Sequence, residues 1–102
     1  MKELIVQNST ANGLEIALVG EIASENADVF FAEVMAAYEN CPADVTFVCD
    51  GLEFIDSTAL GTFVKILKRV KTDGKTMRLV GLQAKIKKLF LICSLDTIME
   101  IA

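Results

Sequence analysis

Histidine and tryptophan are absent from this 102-residue chain, and proline occurs once. Without histidine, Ser-His-Asp and Cys-His relays cannot be assembled. Three cysteines, Cys41, Cys49 and Cys93, form no CxxC pair, so the usual zinc-binding patterns are missing too. Irregular cysteine spacing without an export signal fits a reduced, cytoplasmic protein. No GxxxxGK segment occurs, and Gly20 and Gly81 stand alone, which leaves no glycine-rich phosphate loop. Apolar runs stop at five residues, as in Leu89–Cys93, whereas a membrane-spanning helix needs about 20. The opening Met1–Gln7 is too short in apolar length for a secretory leader. These absences predict a protein that is not an enzyme, carries no cofactor or metal and does not insert into a membrane.

What is present is a generous apolar content, 53% of residues, enough for one core in a single domain spanning residues 1–102. Charge is unevenly distributed. Residues 1–56 hold eleven acidic side chains and one basic; residues 57–102 hold three acidic and nine basic. Such an asymmetry suits oriented docking to a charged protein partner better than nucleic-acid binding. Two ordinary solvated faces would produce the same pattern.

The periodicity predicts strands over Glu3–Gln7 and Leu14–Val19, joined through the Asn12-Gly13 turn pair as an antiparallel hairpin. Gly20 is expected to break the second strand, with Ser24 or Asn26 capping a helix that runs to about Glu39. That helix gathers Ala27, Phe30, Phe31, Val34, Met35 and Tyr38 on one side. Pro42 and Asp44 precede a third strand, Val45–Cys49, and a second helix is expected from about Thr58 to Lys71, stopped by Asp73-Gly74. A fourth strand over Thr76–Gly81, a helix over Ala84–Ile92 and a last strand over Ile98–Ile101 complete the order ββαβαβαβ. In the last helix Ile86, Leu89, Phe90 and Cys93 read as inward, and Lys85, Lys87 and Lys88 as outward. Alternating strands and helices imply an α/β fold with a mixed, mostly parallel sheet.

The chain is organised around Asp50-Gly-Leu-Glu-Phe-Ile-Asp-Ser-Thr-Ala-Leu-Gly61, read as a strand end, a loop and a helix start. In a parallel sheet this junction falls at the carboxyl end of a strand, where open α/β folds place function. Asp50, Glu53 and Asp56 have the chemistry to gather round Mg²⁺, although such a trio is more often a plain polar loop. Cys49 and Cys93 read as small core residues and Cys41 as a loop residue. Ser57 has two readings. It is either a helix N-cap worth about 1 kcal/mol or a phosphorylation acceptor, tolerated because a helix N terminus favours negative charge.

Phe54-Ile-Asp-Ser-Thr-Ala-Leu-Gly61 resembles the signature turn of STAS domains, in particular of anti-sigma factor antagonists. Supporting matches are Gly20-Glu-Ile22, Lys88-Leu-Phe90 and the terminal Ser94-Leu-x-x-Ile98, so the resemblance covers nearly the whole chain. It implies a protein that binds an anti-sigma factor which is also a serine kinase of the histidine-kinase-like ATPase fold. The kinase phosphorylates the antagonist, binding is lost, and a serine phosphatase resets it. By position Ser57 would be the acceptor, with Asp56, Thr58, Ala59, Glu21 and Ala23 in the docking surface. Two residues depart from the family pattern: Ala59 replaces the usual glycine, and Ala23 stands where many antagonists have aspartate. Two rival readings fit the same turn. One is a STAS adaptor that is never phosphorylated, as in a lipid-transport ATPase or a signalling scaffold; the other is a small nucleotide- or lipid-binding domain.

Overall fold

Alternation of large apolar with small or polar side chains runs through the middle of the chain, and it builds a five-stranded sheet. The computed structural model describes residues 5–10, 13–40 and 42–101. Its elements are β1 (Ile5–Thr10), β2 (Gly13–Ile22), α1 (Ala27–Asn40), β3 (Val45–Ile55), α2 (Ser57–Thr72), β4 (Met77–Val80), α3 (Ala84–Ile92), a 3₁₀ turn (Leu95–Thr97) and β5 (Glu100–Ile101). The strands lie side by side in chain order, with β1 antiparallel to β2 and the remaining neighbours parallel. This is the expected ββαβαβαβ order with its antiparallel hairpin edge. The start of the first expected strand (Glu3), the turn residue Asn12 and the loop residue Cys41 lie outside the described residues.

Each parallel connection steps the same way across the sheet, so right-handed crossovers stack all three helices on one face. The rings on that face show it. Phe47 of β3 lies 6.3 Å from Phe30 of α1 and 5.5 Å from Phe63 of α2, and Phe63 lies 5.6 Å from Phe90 of α3. All four are fully buried, together with Leu14, Ile16 and Leu18 of β2 and Leu79 of β4. Thr46 and Val48, one step out of phase with Phe47 on β3, are only half-buried on the other face.

Several elements differ from their sequence reading. β2 does not stop at Val19 but reaches Ile22, bulging where Gly20 takes a φ of +83°. β3 runs six residues past Cys49, because this extension of β2 supplies it with a partner through Val19–Gly51, Gly20–Leu52, Glu21–Phe54 and Ile22–Ile55. Pairing thus overrides the weak strand preference of Asp50 and Gly51. β1 likewise persists to Thr10, paired with Gly13. In α3 only Ile86 and Phe90, one turn apart, are buried, while Leu89 and Cys93 are exposed, contrary to their expected inward placement. At the C terminus the strand starts at Glu100 instead of Ile98: a 3₁₀ turn ends at Thr97, Ile98 and Met99 continue it as an irregular turn, and Ile98 is exposed.

α1 and α2 are braced at the end of the molecule away from Ser57. The Tyr38 hydroxyl donates to Asp73 at 2.8 Å, and Arg69 reaches Asp73 at 3.2 Å and Glu39 at 2.9 Å. Burial, the hydrogen bond to Asp73 and that residue's charge push the Tyr38 phenol up to about 12.

Candidate functional site

β3 ends at the buried Ile55, α2 begins at Ser57, and Asp56 between them has an extended backbone (φ −113°, ψ −175°). Asp56, not Ser57, is therefore the N-cap: its Oδ1 accepts from the Ala59 N–H at 2.9 Å. Its Oδ2 accepts from the Ser24 N–H, also at 2.9 Å, in the turn between β2 and α1. The Ala59 N–H is the largest influence holding the Asp56 carboxyl below its ordinary range; partial desolvation opposes it and the Ser24 N–H adds to it.

Since Asp56 takes the cap, Ser57 is left as the first helical residue. It is exposed, and its hydroxyl makes no hydrogen bond among the described residues. Thr58 is exposed beside it, and its carbonyl accepts from the hydroxyl of the buried Thr62 at 3.0 Å. Ala59, expected in the docking surface, is fully buried beneath the turn.

The turn after β2 forms the second wall. Asn26 directly precedes α1 and its carbonyl accepts from the Phe30 N–H at 2.9 Å, the N-cap position expected, but its side chain turns back instead of capping the helix. Its Oδ1 accepts from the Ala23 N–H at 2.8 Å and its Nδ2 donates to the Glu21 carbonyl at 2.8 Å, closing residues 21–26 into a compact turn. Glu21 and Ser24 are exposed and Ala23 is half-buried. The structure thus brings Glu21, Ala23, Asp56, Ser57 and Thr58 to the carboxyl end of two adjacent parallel strands.

Phe54 belongs with them, although the sequence reading left it out of the site. It sits beside Glu21 across the β2–β3 ladder and is 48% exposed. In the sequence it falls in the expected loop between strand and helix with nothing to mark its exposure; the extension of β3 to Ile55 and the open strand end reveal it. An exposed aromatic next to a polar turn is a common anchor for a protein partner.

Asp50 and Glu53 are exposed, and among the described residues no three such side chains come together to hold a metal ion. Asp50 instead lies against Gly81, whose positive φ and missing side chain leave room for its carboxylate. Cys49 is buried, and burial, with the charge of Asp50 adding, pushes its thiol up to about 12.

Fold and site together define a small α/β module that displays a hydroxyl-bearing strand-to-helix turn. The STAS domain model matches residues 3–102, and the chain belongs to that family, among its anti-sigma factor antagonists. It is 31% identical over 91 residues to the anti-sigma-B factor antagonist of Bacillus subtilis, covering 89% of this chain and 83% of that protein. A crystal structure of a Thermotoga maritima protein, provisionally named an anti-sigma factor antagonist, is 27% identical with a TM-score of 0.83, covering 95% of this chain and 84% of that one. An anti-sigma factor antagonist from Mycobacterium paratuberculosis, 13% identical with a TM-score of 0.84 over 95% of this chain and 82% of its own, shares the fold. No helix among the described residues is long and apolar enough to cross a membrane.

Proposed function

We propose that the protein is a cytoplasmic partner switch. In its unphosphorylated form it binds an anti-sigma factor that is also a serine kinase of the histidine-kinase-like ATPase fold, and so frees a sigma factor. Phosphorylation of Ser57 ends the binding, and a serine phosphatase restores it. The observation that carries this reading is the state of Ser57: exposed, unengaged, and first in α2, while its neighbour Asp56 carries out the capping. A phosphoryl group there adds about −1.5 to −2 charge at neutral pH. The N terminus of α2 favours that charge, so the fold tolerates it. The docking surface, already bearing Asp56 and Glu21, does not stay the same.

Incubation with ATP and the candidate anti-sigma kinase, followed by mapping of the modified residue, tests the assignment. One phosphate on Ser57, abolished in Ser57→Ala, is the expected result. Phosphate on the exposed Thr58 would move the acceptor by one residue. Tight binding with no phosphate at either position would favour a fixed, unphosphorylated adaptor.

A further inference from the structure

Asp56 makes one more contact than a helix cap requires. Oδ1 serves α2 itself through Ala59, whereas Oδ2 reaches the N–H of Ser24, 32 residues earlier in the chain. The receiving turn is a closed unit, because Asn26 ties Ala23 to Glu21 with two hydrogen bonds. Beyond the last rung of the β2–β3 ladder, at Ile22 and Ile55, the Asp56–Ser24 contact is the one side-chain hydrogen bond among the described residues that joins the two turns. We propose that Asp56 is a positioning residue: it locks the β2–α1 turn against the Ser57 turn, so that a partner meets Glu21, Ala23, Ser57 and Thr58 as one surface. The docking half of this statement rests on the function proposed above; the lock itself does not.

The lock requires an acceptor with two oxygens set on a side chain long enough to span both turns. Aspartate meets the requirement. Serine meets only the first half of it: its hydroxyl is among the best N-caps, but one short oxygen cannot serve Ala59 and Ser24 together. Asp56→Ser therefore separates cap from lock, and Asp56→Asn, which keeps the length but exchanges one acceptor for a donor, is the second variant.

The experiment has two readouts on the intact chain. Amide exchange by NMR should show the Ser24 N–H losing protection in Asp56→Ser while the Ala59 N–H and the rest of α2 keep theirs. Titration against the anti-sigma factor should show affinity reduced about three- to tenfold, the range of one lost net hydrogen bond, at unchanged helical content. Asp56→Asn should lose Ser24 protection in the same way. Unchanged Ser24 exchange in both variants would overturn the lock. Lost Ser24 protection with wild-type affinity would overturn its part in docking. Failure of the wild-type chain itself to bind would count against the proposed function, while the exchange readout still decides the lock.

Discussion

Two cysteines show how far environment separates identical side chains. Cys49 is fully buried in β3 with its thiol pushed up to about 12, whereas Cys93 ends α3 in the open. The thiolate is the reactive species. Iodoacetamide at pH 8 should therefore label Cys93 and spare Cys49 in the folded protein, as peptide mass spectrometry will report. Equal labelling would mean that β3 opens readily. Phe54 makes the complementary case. Because it is half-exposed, Phe54→Ala should cost only about 1 kcal/mol of stability in a denaturant titration. As an aromatic anchor it should cost about 2 kcal/mol or more of partner affinity. A loss of stability exceeding the loss of affinity would return Phe54 to an ordinary packing role.

Among the elements, α2 has the clearest register. Leu67 is buried against the sheet and its neighbour Lys68 is exposed. Leu67→Ala should cost about 2–5 kcal/mol, and Lys68→Ala no more than about 0.5 kcal/mol; equal losses on thermal or chemical unfolding would reverse the helix faces. The brace between α1 and α2 has a pH signature. The folded Tyr38 phenol is raised above its unfolded value near 10, so its contribution is fully present below that pH and is lost as pH rises toward about 12. Melting midpoints of wild type and Tyr38→Phe should differ near neutrality and converge across that alkaline window. Curves that stay parallel would remove the ionisation from the brace.

The same elements show what a reader of the sequence can see. α2 was legible because Leu60, Phe63, Leu67 and Val70 repeat at helical spacing, and the ββαβαβαβ order followed from strand and helix patterns alone. The turn at 56–58 was legible because Asp, Ser and Thr cluster before that repeat. Assignment of the cap was not, since any of the three suits the position; only Asp56 has the two oxygens that the Ala59 and Ser24 amides use. The long end of β3 was hidden for another reason. Asp50 and Gly51 read as a loop, and the partner that makes them a strand lies about thirty residues away in β2. Leu89 and Cys93 were misplaced because α3 is short, and a pattern over nine residues cannot show how narrow its buried stripe is.

At the scale of the whole molecule, three helices pack on one face over a continuous aromatic core, and the surface proposed for partner docking lies at the strand ends beside it. On the proposed reading the charged turn needs no refolding to act. In the proposed switch, a phosphoryl group on Ser57 would change what a partner meets, by bulk and by charge, while the core stays as it is. The most direct test is a calorimetric titration of the anti-sigma factor with three forms of the chain: unmodified, Ser57→Ala and phosphorylated on Ser57. Far-ultraviolet circular dichroism of each should be the same. Ser57→Ala is expected to bind like the unmodified protein, with no cap penalty because Asp56 carries the cap. The phosphorylated form should lose about 2–3 kcal/mol of binding, roughly 30- to 150-fold in affinity. Equal affinity of the phosphorylated and unmodified forms would contradict the switch.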